Sequence, residues 1–360
     1  MIKRRKTRKI FVGNVGVGGD SPVSIQSMTN TDTKDVRKTL NQIKRLYKAG
    51  CEIIRVAVPD EEACEALKQI VGKSPIPVIA DIHFDYKLAV NSIKNGVHCI
   101  RINPGNIKNP KKLEEIIKTA KDYDCAIRIG VNAGSLDYSL KRQYEHDISK
   151  ALVESALNFV NFFEGRGFSK LKVSLKSTDV LTTVAAYEAF SKVSDIPLHL
   201  GITEAGTKFA GTIRSSIGIG HLLLKGIGDT LRVSLTSDPV DEVVVAKEIL
   251  KSLGLRDLGP VLISCPTCAR REIDVIALAK KVEKELSYMT ANIKVAVMGC
   301  PVNGPGEAME ADIGVAGSKR GGIIFKKGKV INKIDNFDKL VKSFISELRK
   351  IEDDWRKRKI

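Results

Sequence analysis

The stretch IPVIADIHFDYKLAVNSIKNGVHCIRINP, residues 76–104, shows the pattern that decides the fold. A short run rich in isoleucine and valine ends in polar residues, a longer segment with helical periodicity follows, and a second apolar run again ends in polar residues. This order is typical of two parallel strands joined by a helix. Eight such apolar runs lie between residues 23 and 236: VSIQSM, CEIIRVAV, IPVIADI, CIRINP, AIRIGV, KVSLKS, PLHLGI and TLRVSLT.

Eight strand–helix units are the number that closes an α/β barrel, so we predict a TIM-like (β/α)8 barrel. A doubly wound open sheet is the alternative that the same units permit. The alternation of strands and helices ends at SLGLRDLGP, residues 252–260. The sequence after this stretch predicts the strands PVLIS and KVAVMG, a hairpin around KKGK and a terminal helix. We therefore predict a barrel over residues 1–254 and a smaller α+β domain over residues 260–360.

Composition favours a globular protein of the cytoplasm. The 360 residues are 43% hydrophobic, and no apolar run reaches the length of about 18–20 residues that crosses a bilayer. The basic start MIKRRKTRK leads into IFVGNVGVGG instead of an apolar signal core, so we expect a soluble protein with no membrane partner. The seven cysteines are an odd number in a chain without such a signal, which favours thiols or metal ligands over disulfides.

The net charge is +17, and basic clusters lie near both ends, KRRKTRK and RKRK. Positive charge of this size attracts nucleic acid, acidic proteins or anionic substrates. Solvated tails are the simpler interpretation of the two clusters, and charge alone does not decide between these possibilities. Two glycine-rich runs, GNVGVGGD and IGIGHLLLKGIG, lack the spacing of a dinucleotide-binding loop, and we interpret both as turns.

Four of the predicted strands carry an arginine between apolar neighbours, at Arg55, Arg101, Arg128 and Arg232. A buried guanidinium is costly unless an anion or a carboxylate meets it. The carboxyl ends of barrel strands converge on one mouth, and guanidinium groups bind phosphate oxygens through paired hydrogen bonds. Together with Lys176, these residues predict a site for a strong anion, with structural ion pairs as the alternative.

Other polar residues are expected at the same mouth: Asp81, His83, Asn103, Asn132, His199, Glu204 and Ser234. A strand histidine is more often a hydrogen-bonded core residue than a ligand. Glu204, facing a ring of cations, either pairs with them or carries a proton for chemistry. Lys176 also permits a different hypothesis, a Schiff base with a carbonyl substrate.

The second domain contains SCPTCARRE, with Cys265 and Cys268, and then GCPVNGPGE, with Cys300 and Glu307. A Cys-x-x-Cys pair at the start of a helix has thiols near backbone N–H groups, which suits a metal centre. Structural zinc takes four cysteine or histidine ligands, and this domain has no histidine and no fourth cysteine. Iron–sulfur ligands are commonly followed by proline, as Cys265 and Cys300 are here. Three thiolates then satisfy three irons of a cubane cluster, and Glu307 is a candidate oxygen ligand of the fourth.

The motifs SCPTC, MGCPVNGPGE, IQSMTNTDT, RINPGN and TEAG together closely resemble the 4-hydroxy-3-methylbut-2-en-1-yl diphosphate synthase family of the methylerythritol phosphate route to isoprenoids. The similarity extends over nearly the whole chain. It implies a TIM-like barrel followed by an iron–sulfur domain that resembles those of sulfite and nitrite reductases. It also implies a 4Fe-4S cluster on Cys265, Cys268, Cys300 and Glu307.

The same resemblance implies a reaction. The family opens, reduces and dehydrates 2-C-methyl-D-erythritol 2,4-cyclodiphosphate by two single-electron transfers through an iron that the substrate reaches. The implied catalytic carboxylates are Glu204 and Glu307. The implied substrate-binding residues are Arg55, Asp81, His83, Arg101, Asn103, Arg128, Asn132, Lys176, His199, Arg232 and Ser234.

The resemblance further implies partners. Flavodoxin or ferredoxin is the implied electron donor, and both are acidic proteins that a charge of +17 would attract. The implied assembly is a head-to-tail homodimer in which the cluster of one chain caps the barrel of the other.

Two other functions fit parts of the sequence. A Schiff-base barrel enzyme would use Lys176, and a basic nucleic-acid-binding protein with a zinc site would use the charge and the cysteine pair. Aromatic residues make up only 5% of the chain, whereas nucleic-acid surfaces interleave aromatic with basic side chains. We therefore expect no nucleic-acid partner.

Overall fold

A computed structural model describes residues 2–107, 109–300 and 304–358 of the chain. The chain divides between Arg256 and Asp257 into two units, and each unit buries its own apolar side chains. In the described residues, every helix is too short or too polar to cross a membrane.

A short antiparallel hairpin, β1 (Ile10–Val12) and β2 (Val15–Val17), precedes the barrel strands. Its side chains Ile10, Val12 and Val17 pack against residues at the beginning of four barrel strands, Ile53, Ile79, Cys99 and Ala126. The hairpin therefore covers the amino ends of these strands with apolar side chains. Interpreting GNVGVGGD as a turn is wrong for Val15–Val17, because burial of Val17 against the barrel favours an extended segment.

Eight parallel strands form the barrel: β3 (Ser24–Met28), β4 (Ile53–Ala57), β5 (Val78–Ile82), β6 (Cys99–Ile102), β7 (Ala126–Asn132), β8 (Leu171–Lys176), β9 (His199–Leu200) and β10 (Thr230–Leu231). Neighbours follow the order β8, β7, β6, β5, β4, β3, β10 and β9. A parallel bridge between Val173 and Leu198 joins β8 to the segment before β9 and closes the ring. The predicted (β/α)8 barrel is confirmed, and the open-sheet alternative is wrong because the two end strands meet.

The helices of this unit are α1 (Val36–Ala49), α2 (Glu61–Lys73), α3 (Tyr86–Lys94), α4 (Pro110–Asp122), α5 (Tyr138–Gln143), α6 (Ile148–Glu164), α7 (Val180–Val193), α8 (Lys208–Leu224) and α9 (Pro239–Ser252). Short 3₁₀ turns at Pro104–Asn106 and Ala133–Ser135 follow β6 and β7. Interpreting IGIGHLLLKGIG as a turn is wrong, since most of it lies in α8. Glycine serves close packing there: a Cβ on Gly218 would lie 2.7 Å from Ile202 Cδ1.

The amino-terminal basic run is bound to the barrel. Arg4 Nη2 lies 3.0 Å from an oxygen of Asp229, and Arg5 Nη2 donates to the carbonyl of Ile196 at 2.7 Å. Arg8 pairs with two carboxylates. Interpreting this run as a solvated tail is wrong for these three arginines, because they satisfy acceptors of the folded barrel.

The second unit contains a five-stranded sheet in the order β11 (Val261–Ser264), β12 (Lys294–Met298), β13 (Ile313–Gly317), β14 (Gly322–Lys326) and β15 (Lys329–Ile334). The first three strands are parallel, and the last two are added antiparallel, so the hairpin at KKGK is confirmed.

Its helices are α10 (Val275–Leu286), α11 (Gly304–Glu307) and α12 (Phe337–Lys357). Val282 of α10 and Phe344 of α12 are fully buried in the same apolar cluster as the sheet residue Val297, which explains why each helix needs an apolar stripe. Pro301 and Asn303 of the predicted cysteine loop lie outside the described residues. The architecture is a smaller α+β unit following the barrel.

Candidate functional site

Three of the predicted strand arginines and one aspartate reach the same level of the barrel. Asp81 of β5 is in register with Arg101 of β6, which is in register with Arg128 of β7. Residues in register on neighbouring parallel strands point to the same face, so these three side chains share the barrel interior. Arg55 of β4 reaches them too, with Nη1 3.8 Å from Asp81 Oδ1. The barrel thus brings together four residues that are far apart in sequence.

Asp81 is the carboxylate that these cations share. Arg101 Nη1 donates to Asp81 Oδ1 at 3.1 Å, and His83 Nε2 lies 3.4 Å from Asp81 Oδ2. Burial alone would raise the pKa of Asp81, but the charges of Arg55 and Arg101 and the contact with His83 outweigh burial and hold that pKa well below its usual range. Asp81 is therefore ionised at neutral pH and cancels one of the surrounding positive charges.

Arg128 and Lys172 are buried cations without an ion-pair partner among the described residues. Arg128 is 2% exposed, and neither its Nε nor its Nη1 has a hydrogen-bond partner there. Lys172 is in register with Arg128, is fully buried, and its Nζ is likewise unpartnered. Burial, reinforced by the charge of Arg128, lowers the pKa of Lys172 to about 8. Burial and the charge of Arg55 lower the pKa of Arg128 well below its usual range. Two neighbouring buried cations with no carboxylate partner in the described part of the chain favour binding of an anion.

Lys176 ends β8 on the same strand face as Lys172. Burial and the charges of Arg128 and Arg55 lower its pKa well below the usual range. Sequence analysis named Lys176 and missed Lys172. The alternation of lysine with apolar residues in KVSLK was the signal, because it puts both lysines on one face of the strand.

Arg232 differs from the other strand arginines because it already has a carboxylate partner. Its Nε and Nη2 donate to Glu242 Oε2 and Oε1 at 3.1 and 3.0 Å, a two-point ion pair. Glu242, buried in the first turn of α9, also accepts from the Ser27 hydroxyl and from the Leu235 N–H. The ion-pair alternative therefore describes Arg232. Sequence analysis missed Glu242, since acidic residues are common in the first turn of a helix.

A cavity of about 300 Å³ opens beside the ends of β7, β8 and β9. Its lining includes the predicted residues Asn132 and Glu204 and the hydroxyl-bearing residues Ser135, Ser177 and Thr203. Glu204 is exposed and has a φ of 51°, a left-handed conformation that residues other than glycine rarely adopt. Strained backbone of this kind persists where the surrounding structure enforces it, often at functional sites.

Three more predicted residues lie near this mouth. Asn103 is buried, and its Nδ2 donates to Ser135 Oγ at 2.5 Å. His83 is exposed, and its Nε2 lies 3.4 Å from Arg101 Nη1. Ser234 is half-buried beyond the end of β10.

His199 is the predicted residue that β9 contributes. It is fully buried in β9, and neither ring nitrogen has a partner among the described residues. Burial, with the charges of Arg128 and Lys176, lowers its pKa well below the usual range, so the ring is neutral. The hydroxyls of Thr230 and Ser24, on strands in register with it, are also buried and unpartnered. The barrel interior around His199 therefore contains several buried polar groups without hydrogen-bond partners among the described residues.

In the second unit, all four predicted metal ligands line one cavity of about 170 Å³: Cys265, Cys268, Cys300 and Glu307. Cys265 follows β11 and Cys300 follows β12, so the carboxyl ends of two neighbouring parallel strands supply these thiols. The N–H of Gly299 donates to Cys265 Sγ at 3.1 Å. The backbone N–H of Arg270 hydrogen-bonds Cys268 and lowers the pKa of that exposed thiol.

The chemistry of these donors fits a thiolate-bound cluster. Across residues 2–107, 109–300 and 304–358, no three Cys, His, Asp or Glu side chains lie close enough to hold a single metal ion. The thiols and the carboxylate instead surround a cavity, and iron–sulfur clusters take one thiolate at each of several irons. A tetrahedral zinc site instead needs four donors around one point, so donors spread around a cavity fit a cluster better than a single zinc ion. The exposed Arg270 and Arg271 also line the cavity and add positive charge beside it.

The sequence matches two family models in succession. The model described as the GcpE TIM-barrel domain matches residues 7–247, and the model described as the GcpE protein C-terminal domain matches residues 261–350. A protein of Desulfotalea psychrophila named 4-hydroxy-3-methylbut-2-en-1-yl diphosphate synthase (flavodoxin) is 55% identical over 361 residues, which cover 99% of this chain and 99% of that protein. A protein of the same name from Clostridium perfringens is 55% identical over 350 residues, 97% of this chain and 99% of that protein.

Solved structures also include distant neighbours of the chain. A dihydropteroate synthase of Xanthomonas albilineans, in complex with indole-2-carboxylic acid and 6-chloroguanine, has a TM-score of 0.49 and 13% sequence identity. The match covers 69% of this chain and 98% of that chain. A likeness at this level supports no conclusion.

Proposed function

The chain belongs to the GcpE family of 4-hydroxy-3-methylbut-2-en-1-yl diphosphate synthases, and from that premise we propose how its residues divide the work of the reaction. The enzyme is an oxidoreductase of isoprenoid precursor biosynthesis. It opens, reduces and dehydrates 2-C-methyl-D-erythritol 2,4-cyclodiphosphate to 4-hydroxy-3-methylbut-2-en-1-yl diphosphate. The observation that carries the proposal is the pairing of a thiol-lined cavity in one unit with unpartnered buried cations in the other.

The cations of the barrel bind the diphosphate of the substrate. Arg55, Arg101 and Arg128 surround Asp81, so at this level of the barrel three guanidinium groups face one aspartate among the described residues and leave an excess of positive charge. Lys176 ends β8 among the same cations, and its charge is disfavoured until an anion enters. Bound phosphate oxygens accept hydrogen bonds from the guanidinium N–H groups and so offset the free-energy cost of burying these groups.

The other predicted residues have subordinate roles in this binding. Asp81 holds Arg101 in place, and His83, Asn103, Asn132 and Ser234 offer hydrogen-bonding groups around the mouth. His199 is a buried neutral ring near Arg128 and Lys176, and Arg232 carries a charge that Glu242 already balances.

Cys265, Cys268, Cys300 and Glu307 hold a 4Fe-4S cluster in the second unit. When bound, such a cluster supplies single electrons and a Lewis-acidic iron. Cys265, Cys268 and Cys300 would hold it through thiolates, and the exposed Glu307 would be the oxygen donor of the set. This arrangement suits reduction at a carbon–oxygen bond better than plain electron transfer.

Glu204 moves the proton of the reaction. It lines the mouth cavity and is exposed, and its backbone is held in a strained conformation. In its acid form Glu204 would give a proton to the departing oxygen as water leaves, and in its ionised form it would stabilise positive charge on the carbon skeleton. We place proton transfer at a Glu204 carboxylate oxygen.

The electron donor is an acidic protein. The names of curated relatives include flavodoxin, and the net charge of +17 on this chain would attract an acidic protein such as flavodoxin or ferredoxin. Arg270 and Arg271 are exposed beside the thiol cavity, and their positive charge supports docking of an acidic electron donor there. The enzyme works in the cytoplasm as a head-to-tail homodimer in which each barrel meets the cluster unit of the partner chain.

The other two hypotheses receive no support. The lowered pKa of Lys176 follows from burial among arginines and needs no carbonyl substrate. A zinc-dependent nucleic-acid protein would need a convergent metal site, and no such group occurs in the part of the chain that the structure describes.

Anaerobic purification and turnover test the proposal. We expect a brown protein that contains iron and sulfide and converts the cyclodiphosphate when supplied with reduced flavodoxin. Cys300→Ser should lose the visible absorption of the cluster and all turnover. Cys64→Ala is the matched control, because this buried thiol lies in α2 of the barrel unit. A colourless protein with one zinc per chain, or full colour in Cys300→Ser, contradicts the cluster assignment.

A further inference from the structure

Two glycines inside the barrel have no conformational reason to be glycine. Gly130 lies in β7 and Gly201 follows β9, and neither has the positive φ that favours this residue. Glycine weakens a strand and often marks the close approach of another group. In both cases that group is a cation of the substrate site.

Gly130 leaves room for Arg101. A Cβ built on Gly130 would lie 2.6 Å from Arg101 Nε and 3.3 Å from its Cζ and Nη2. Arg101 is 5% exposed, so its side chain cannot swing into solvent to avoid a methyl group. Any methyl there must displace the guanidinium from the place where it meets its partners.

The partners of Arg101 show what such a displacement would break. Its Nη1 donates to Asp81 Oδ1 at 3.1 Å. When the amide oxygen of Asn132 faces Arg101, it accepts from Nη2 at 3.1 Å, while the amide nitrogen donates to the carbonyl of Val131. The guanidinium is therefore held from one side by hydrogen bonds and from the other by the bare Cα of Gly130.

Gly201 repeats the arrangement with Lys176. A Cβ on Gly201 would lie 2.5 Å from Lys176 Nζ. In each case the cation of one strand lies against a glycine of the neighbouring strand segment: Arg101 of β6 against Gly130 of β7, and Lys176 of β8 against Gly201 just after β9. The Gly201 methyl would also lie 2.7 Å from the carbonyl oxygen of Arg232, so substitution there strains the backbone as well. Gly130 is the cleaner position for a test.

We infer that Gly130 is a positioning residue for the reaction: by lacking a side chain it sets where the Arg101 guanidinium binds the diphosphate, and Gly201 does the same for Lys176. The inference rests on the proposed function, because it takes the barrel cations to be the diphosphate site. It predicts that a single methyl group at residue 130 weakens substrate binding without disturbing electron transfer.

The experiment compares single variants of the anaerobically purified holoenzyme. Gly130→Ala should raise the KM for the cyclodiphosphate about 10-fold, and the Kd for inorganic pyrophosphate by a similar factor, as expected for loss of one charge-assisted contact. Because the loss is in uniform binding, kcat and the visible spectrum should change little. Gly72→Ala in α2 is the matched control, since nothing lies within 4 Å of a Cβ built there. Unchanged KM and Kd in Gly130→Ala would overturn the inference.

A double variant separates positioning from a general structural effect. Arg101→Ala removes the group that the new methyl would strike, so adding Gly130→Ala to it should cause no further rise in KM or Kd. An additional 10-fold loss, or failure of the double variant to fold, would show that Gly130 acts independently of Arg101. If Arg101→Ala alone leaves pyrophosphate binding intact, the diphosphate site itself is wrong and the inference falls with it. If Arg101→Ala weakens binding while Gly130→Ala does not, only the inference fails.

Discussion

Arg128 and Arg232 carry the same charge in the same barrel but differ in what surrounds them. Arg128 has two guanidinium nitrogens without a partner among the described residues, and burial works against its charge. Arg232 makes a two-point ion pair with Glu242, whose side chain is 4% exposed. Arg128 is therefore suited to binding an anionic ligand, whereas Arg232 forms an ion pair within the protein.

Substitution of these two arginines should change stability in opposite directions. Arg128→Met removes an unpaired buried charge, and we expect the free energy of unfolding to rise by about 1–3 kcal/mol while turnover is lost. Arg232→Met leaves Glu242 buried without its cation, and we expect a loss of about 3–5 kcal/mol. Calorimetric unfolding of both variants, with the unsubstituted enzyme as reference, measures the two shifts. Shifts of the same sign would show that the barrel already neutralises Arg128.

Individual residues were predicted best where the local pattern was informative. The strand arginines and Lys176 stood out because a charge between apolar neighbours is conspicuous. Lys172, Glu242 and Gly130 did not stand out. Their importance depends on the side chains opposite them, and those belong to other strands and helices.

At the scale of elements, the hairpin β1–β2 covers the amino ends of four barrel strands, away from the mouth. Ile10, Val12 and Val17 bury against the beginnings of barrel strands, and the strand positions between them face outward. Phe11 is 47% exposed although it lies between two buried residues. The hairpin is thus half core and half surface, as expected for a strand with one buried face.

Truncation of the two faces should separate packing from catalysis. Ile10→Ala removes buried methyl groups, and we expect it to lower the free energy of unfolding by about 2–4 kcal/mol. Because the hairpin covers the amino ends of the strands, KM and kcat should not change below the unfolding temperature. Phe11→Ala on the exposed face is the control and should change stability by less than about 0.5 kcal/mol. A raised KM in Ile10→Ala would mean that the hairpin also shapes the substrate site.

The elements themselves were largely predictable, and the exceptions share a cause. All eight barrel strands and the KKGK hairpin follow from periodicity and turn residues, which are local properties. The hairpin β1–β2 and the glycine-containing helix α8 were interpreted as turns because glycine usually marks turns. In both, contact with the barrel overrides that tendency. Val17 of the hairpin is buried against the barrel, and Gly218 of α8 lies too close to Ile202 to leave room for a side chain.

At the scale of the whole molecule, the proposed head-to-tail dimer divides one active site between two chains. A barrel variant and a cluster variant should then complement each other. When Arg128→Met and Cys300→Ser chains are co-expressed and pair at random, half of the dimers contain one of each, with one working site. We expect about a quarter of the activity of the unsubstituted enzyme.

The matched control pairs two cluster variants, Cys265→Ser and Cys300→Ser, which should stay inactive together because no chain supplies a cluster. Activity is measured as turnover of the cyclodiphosphate with reduced flavodoxin. Absence of activity in the Arg128→Met and Cys300→Ser mixture, with mixed dimers present, would place barrel and cluster of the same chain in one active site.

The sequence by itself determined the eight strand–helix units, the second α+β unit and the family, and it predicted the cysteine and glutamate donors. These depend on short stretches of chain, where periodicity, turn residues and ligand spacing are written in neighbouring positions. Tertiary structure alone decided that Arg4 meets Asp229, 225 residues away, that Glu242 neutralises Arg232, and that Gly130 makes room for Arg101. The physical reason is that these are contacts between distant segments. Burial turns such contacts into large energies, and burial exists only once the barrel has closed.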